Sequence, residues 1–188
     1  MYNPALYKAM LLFGYLGNKA VLLPTLIVTL VYLLYQKEQR LCKYLFVLLL
    51  SSASIVEITK HIVKRSRPTI SDIFTEPFSF PSGHMTFSTT LYCFLAMVFC
   101  HHLKRFERTN IYQIIATILF IIGFSRLYTG AHWLSDITFG AAIGIMLAIT
   151  ASFLYHRKTC KINSKPLLIL ILSSFMSFYV IYASISLN

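Results

Sequence analysis

The sequence predicts an all-α integral membrane protein, a bundle of six transmembrane helices, and three observations carry the prediction. Of its 188 residues, 57% are hydrophobic and only 12% charged, against about a quarter charged in a soluble domain. Uncharged runs cover 20–36, 44–56, 85–103, 109–125, 137–156 and 166–188, and a helical span takes about 20 apolar residues, with a range of about 17–25. Finally, the basic residues crowd into the short connections between alternate runs, as they do in membrane proteins of fixed orientation.

The N-terminal stretch is the least regular. Residues 9–35 hold one charge, Lys19, inside GYLGNKA, with Pro24 just beyond. This breaker-like composition predicts an interfacial segment within 1–18, over about 3–16, and a first span starting near Gly17; a single long bent helix is the other reading. With neither a basic n-region nor a small-residue cleavage pattern, no cleavable signal is expected. The second run needs flanking residues to span, and Lys or Arg heads at its ends can snorkel to the interface. It leads into KHIVKRSRP at 60–68. There Lys60, Lys64 and Arg67 share a face if the helix continues that far, and Pro68 disfavours helical geometry at Arg67.

The third span opens at PSGH, 81–84, with Ser82 as N-cap. His101 and His102 follow His84 by 17 and 18 residues, about 26 Å along a helix, and so belong to the opposite interface. The fourth span ends at SRLYTG and the fifth begins at AHWLSD, so that SRLYTGAHWLSD fills 125–136. Within the fifth, GAAIG puts Gly140 and Gly144 one turn apart on a face suited to close helix packing. The last run, 166–188, adds a sixth helix over 166–187. No repeat or linker interrupts the chain, which reads as one membrane-embedded domain over 1–188, its motifs lying between 57 and 144.

A net charge of +11 would suit a nucleic-acid partner, but its distribution argues for topology. The connections 36–43, 101–110 and 156–165 carry ten basic residues and the other side seven, which makes the first side cytoplasmic by the positive-inside rule. The four cysteines fit no disulfide framework or zinc site: Cys42 and Cys160 fall on the cytoplasmic side, Cys93 and Cys100 within the third span.

Six-span threading places three polar segments together at the outer interface. Each has an ordinary reading alone: a cationic helix end, a capped helix with an incidental His, a structural His–Asp pair. Together they assemble the fixed cations Lys60, Arg67 and Arg126, the backbone donors at 82–84, and two histidines. Gly83 lets a ligand approach the first N–H groups of a helix, a site for an anion and for phosphate above all. His132 and Asp136, four apart, lie on one helical face, and a carboxylate on one ring nitrogen leaves the other as a lone-pair donor. A dianionic phosphate fits these groups. A divalent metal does not, because the cations would repel it and Asp136 is the only carboxylate placed near, so no metal or other cofactor is expected. Glu57, one turn before Lys60, is placed either against Lys60 or Arg126, or in a helix-end pair with Lys60 or His61.

The pattern Lys60-x6-Arg67-Pro68, then Pro81-Ser82-Gly83-His84, then Ser125-Arg126-x5-His132-x3-Asp136 resembles the signature of the type 2 phosphatidic acid phosphatase superfamily, which joins membrane lipid phosphatases to soluble vanadium haloperoxidases. The resemblance implies a metal-independent phosphatase acting through a phosphohistidine. His132 would be the nucleophile, Asp136 its orienting carboxylate and His84 the acid that protonates the leaving oxygen. Lys60, Arg67, Arg126, Ser82 and Gly83 would hold the phosphoryl oxygens. Six spans favour the lipid phosphatase branch. Its substrates would be undecaprenyl pyrophosphate, a lipid A phosphate, phosphatidylglycerophosphate or phosphatidic acid, with selectivity in the loop 69–80 and the interhelical groove. A phosphotransferase to a lipid acceptor uses the same residues. An anion channel or transporter would instead spread its basic residues along the membrane depth.

Overall fold

The computed structural model describes residues 3–68, 77–101, 103–157 and 164–187. They form seven helices: α1 (Pro4–Tyr15), α2 (Lys19–Tyr35), α3 (Gln39–Val63), α4 (Gly83–Phe99), α5 (Arg105–Tyr128), α6 (Leu134–His156) and α7 (Ser164–Leu187). Among the described residues the only β pairing is an isolated antiparallel bridge between Ser66 and Phe78. Five stretches are long and apolar enough to cross a bilayer, with α1 and α2 counted as one of 32 residues, and the shorter α4 makes the sixth. The six-helix membrane bundle expected from the sequence is therefore present. Cys160 and His102 fall outside the described residues.

The chain breaks between α1 and α2 at Leu16–Asn18, and each helix starts on an asparagine. The Asn3 side chain accepts from the N–H groups of Ala5 and Leu6, and that of Asn18 from Ala20, satisfying donors that a helix start leaves open. At the far end, Arg40 donates to the carbonyls of Leu154 and Tyr155, a cation on the last turn of α6 where the helix dipole favours one. His101 stacks on His156 at 4.0 Å there, and the motif histidines lie at the opposite end of α4.

α4 is the axis of the bundle, packed against α3, α5 and above all α6. Phe94 on it is fully buried, among Leu45, Leu48, Ala148 and Tyr155. Large apolar side chains such as Val31, Phe46, Phe120, Met146 and Ile169 face outward, a surface made for lipid. Since lipid tails are as apolar as the side chains, helix association rests on close van der Waals packing at small residues. Gly140 and Gly144 provide it: a Cβ on Gly140 would stand 2.9 Å from the Ser82 carbonyl oxygen, and one on Gly144 2.7 Å from Thr89 Cβ and 2.9 Å from the Thr86 carbonyl oxygen. Gly144→Val is expected to cost about 1–3 kcal/mol by overpacking against backbone that cannot move aside. In detergent this lowers the thermal midpoint by about 2–4 °C for each kcal/mol.

Candidate active site

Two helix ends and two helix starts meet at one end of the bundle. α3 stops at Val63, and Lys64 closes it in the left-handed region (φ 50, ψ 37). The face shared by Lys60, Lys64 and Arg67 therefore does not form; Lys64 leaves the helix while Lys60 stays buried inside its last turn. The chain then runs beside residues 77–80. The Ser79 N–H donates to the Arg65 carbonyl at 2.8 Å and the Ser79 hydroxyl to the Ser66 carbonyl at 3.1 Å. Arg67 turns back and donates through Nη1 to the Ala131 carbonyl at 2.8 Å. Glu57 pairs with His61 at 2.9 Å on the exposed side of α3, one of its two expected placements, and does not join the cluster.

Ser82 caps α4, its hydroxyl accepting from Met85 N–H at 3.5 Å. Its own N–H donates to the Asp136 carbonyl at 3.1 Å, which ties the start of α4 to the first turn of α6. Beyond α5, Gly130 takes a positive φ of 67 that a side chain would resist. The turn folds back so that Ala131 and His132 N–H groups donate to the Arg126 carbonyl at 3.1 and 3.4 Å.

His132 precedes α6 and does not lie on its face. Its Nδ1 is 2.9 Å from the Ser79 carbonyl oxygen, and Asp136 Oδ2 lies 3.6 Å from the same nitrogen, beyond hydrogen-bond distance. A carbonyl can only accept, so Nδ1 carries the proton and Nε2 the lone pair. The expected tautomer is thus fixed chiefly by a backbone oxygen, with Asp136 as a neighbouring negative charge. Burial holds the imidazole below its ordinary value of 6.5 and Arg67 lowers it further, while Asp136 and the Ser79 carbonyl act in the opposite direction.

Asp136 is wholly buried. One oxygen accepts from Trp133 N–H at 2.9 Å, closing the first turn of α6, and the other accepts from Arg65 Nη1 at 2.9 Å. Sequence reasoning passed Arg65 over as one more interfacial cation. In the structure it also donates to the Ser135 hydroxyl and lies over the Trp133 ring at 5.2 Å. No periodicity links positions 65 and 136; the only signal is a fourth cation within KHIVKRSRP, beside Lys60, Lys64 and Arg67.

The remaining groups face one another across this frame. Arg126, Lys60, Arg67 and His132 are all within electrostatic reach of the His84 ring. Arg126 Nε and Nη2 and His84 Nε2 are buried without a protein hydrogen-bond partner among the described residues. Leaving such groups unpaired costs about 1–3 kcal/mol each, more when charged, and an oxyanion between them offsets that cost. Gly83 is not crowded: a Cβ there would make ordinary van der Waals contact with Val56 Cγ1 at 3.8 Å and the Phe87 ring at 3.9 Å. No group of three or more His, Cys, Asp or Glu side chains converges on a metal position among the described residues.

Comparison with known proteins settles the lineage. The PAP2 superfamily pattern matches residues 40–160, well over half of the chain. The chain belongs to the PAP2 superfamily. Phosphatidylglycerophosphatase B of Bacillus subtilis (strain 168) is 25% identical to it over 148 residues, covering 77% of this chain and 73% of that protein. Among solved structures, the Bacillus subtilis transmembrane PAP2-type phosphatidylglycerolphosphate phosphatase superposes with a TM-score of 0.74 at 23% identity, covering 85% of this chain and 81% of that one. Aquifex aeolicus LpxE superposes with a TM-score of 0.60 at 30% identity, over 80% and 87%. With six membrane helices, this PAP2 chain falls in the lipid phosphatase branch.

Arg65→Gln leaves the buried Asp136 oxygen without its cation. Because the Arg65 side chain is itself 37% exposed, the expected loss is about 1–3 kcal/mol rather than that of a fully buried pair. Arg65→Lys should recover only part of it, since an ammonium does not reproduce the fork that reaches Ser135 and Asp136 together. Thermal unfolding of the purified variants reads both.

Proposed function

We propose that this PAP2 protein removes phosphate from a membrane lipid phosphate or pyrophosphate at the outer interface, by way of a phosphohistidine on His132. The observation that carries the proposal is the buried His132 ring, its Nδ1 held 2.9 Å from the Ser79 carbonyl, among cations and unpaired buried donors that suit a phosphoryl group. Its Nε2 lone pair attacks phosphorus while the bond to the lipid oxygen breaks, and His84 gives that oxygen a proton. Water then attacks phosphorus, His84 takes up its proton, the N–P bond breaks and phosphate leaves. Asp136 stabilises the imidazole as it becomes positive. Lys60, Arg67, Arg126 and the α4 start at Ser82 and Gly83 stabilise the phosphoryl oxygens, in which negative charge concentrates at the transition state. This scheme uses no metal, because the cations present already meet the charge.

The basic connections support a cytoplasmic location for the opposite end of the bundle, and Trp133, half-exposed beside the site, suits a membrane–water boundary. α1, whose last turn reaches Arg126, lies at that same interface. The names of the Bacillus subtilis relatives make phosphatidylglycerophosphate the first substrate to try, beside phosphatidic acid, undecaprenyl pyrophosphate and lipid A phosphates.

Phosphate release by the detergent-purified protein, with EDTA present, tests the reading. Release from at least one of these lipids is expected. His132→Ala should abolish it, and His84→Ala should slow it by about 10²–10⁴-fold. Transfer to an added lipid acceptor without release would identify a phosphotransferase, and release that survives His132→Ala would show that another group is the nucleophile.

The pH profile gives a separate check. A nucleophile whose pKa lies below 6.5 stays neutral as pH falls through that value and is lost only further down. After correction for substrate ionisation, the acid limb of kcat/KM should therefore lie below 6.5; a limb at or above 6.5 contradicts a nucleophile buried in this way.

A further inference from the structure

The stretch GYLG, 14–17, lies outside the residues matched by the superfamily pattern, yet it presses on the phosphate site. Gly14 is in the last turn of α1. A Cβ built on it would stand 1.8 Å from Arg126 Nη2 and 2.6 Å from Arg126 Cζ, so the α1 backbone lies directly against the guanidinium. Gly17, in the break before α2, is equally close to the neighbouring helices: its Cβ would meet Ser88 Oγ at 2.7 Å, Ile122 Cγ2 at 2.9 Å and the His84 carbonyl oxygen at 3.5 Å.

Several contacts hold this segment down. Tyr92 on α4 donates to the Leu16 carbonyl at 2.7 Å, and Tyr179 on α7 donates to the Leu12 carbonyl at 3.2 Å. Asn18 donates to the Tyr182 hydroxyl at 3.2 Å, and the Tyr15 ring meets that of Tyr182 edge-on at 4.8 Å. The last helix, also outside the matched region, thus buttresses the first. The guanidinium behind them is buried, with Nε and Nη2 unpartnered among the described residues.

We infer that Gly14 is a positioning residue for Arg126. By having no side chain, it lets α1 close over the guanidinium and confine it to the orientation in which it meets a phosphoryl oxygen. The alternative, a glycine needed only for helix packing, predicts a collision with rigid neighbours, as at Gly144. Here the three nearest atoms all belong to the guanidinium end of one flexible side chain. A methyl group at 14 therefore displaces Arg126 by an ångström or more while the rest of the fold has little reason to move, and a misplacement of that size costs about 10- to 100-fold in rate.

The inference rests on the proposed role of Arg126, and the test separates the two. Phosphate release from the best substrate, inhibition by inorganic phosphate and thermal unfolding would be measured for Gly14→Ala, Arg126→Lys, Arg126→Ala and the corresponding double variants. Gly14→Ala should keep a near-native midpoint, lose about 10-fold or more in kcat/KM and bind inorganic phosphate more weakly. Added to Arg126→Lys, whose slimmer head leaves room for the methyl, it should cost less than about twofold.

Wild-type kinetics for Gly14→Ala beside an inactive Arg126→Ala overturns the positioning inference and leaves the site intact. The same loss in both backgrounds overturns it too, because the glycine then acts independently of Arg126. Wild-type activity in Arg126→Ala refutes the role of Arg126 itself. Should Gly14→Ala unfold, Arg126→Ala should restore its midpoint by removing the collision, and failure to do so places the clash elsewhere and rejects the inference.

Discussion

The close contact between α4 and α6 is the constraint on which the rest of this structure depends. Gly140 brings the α6 backbone against the Ser82 carbonyl, and Ser82 N–H in turn donates to the Asp136 carbonyl at 3.1 Å. That single approach sets the start of α4, which carries His84, at a fixed distance from the start of α6, with His132 just before it. In lipid, where apolar contact between helices gains little over contact with acyl chains, such an approach has to come from small residues and direct hydrogen bonds. The candidate site and the packing of the bundle are consequently one feature: the helices cannot separate without dismantling the site.

Around that frame the electrostatics are deliberately unbalanced. Lys60, Arg67 and Arg126 lie within electrostatic reach of His84, and the one buried carboxylate among the described residues, Asp136, is already occupied by Arg65 and by Trp133 N–H. Asp136 therefore neutralises Arg65 and closes a helix turn. Its distance of 3.6 Å from His132 Nδ1 follows from the same arrangement, since both of its oxygens are held elsewhere. The ring instead takes its orientation from the Ser79 carbonyl, and Ser79 is held by Arg65 through the backbone. Arg65 thus reaches both groups that flank His132 Nδ1, one through its side chain and the other through its carbonyl. A residue outside the recognised signature ties its three segments together.

The helices are legible because lipid imposes a simple rule on them: uncharged runs mark all six, and most of the helices extend past those runs into flanking charges, as α3 does over Arg40, Lys43, Glu57 and Lys60. The end of α3 was not legible, because Lys64 enters the left-handed region without a glycine or proline at that position to announce it. At the site, the residues named from the sequence were side chains carrying chemistry, and these are brought together. What escaped was of another kind. The partner of His132 is a backbone oxygen, which no residue identity encodes, and the Arg65–Asp136 pair joins positions 71 apart with no shared period. Gly14 was visible only as a breaker, since a glycine that admits a helix to an arginine looks the same in a sequence as one that ends a helix.

That last case separates the two parts of the chain. The residues proposed to react and to hold phosphate all lie within the superfamily pattern, and α1 and α7 lie outside it. Yet α1 closes the side of the site at Arg126, and α7 holds α1 there through Tyr179 and Tyr182. The α1 backbone bounds the space around Arg126, so the shape of the candidate site is set partly by helices outside the matched pattern. The packing that shapes the candidate site therefore extends beyond the superfamily pattern to both ends of the chain.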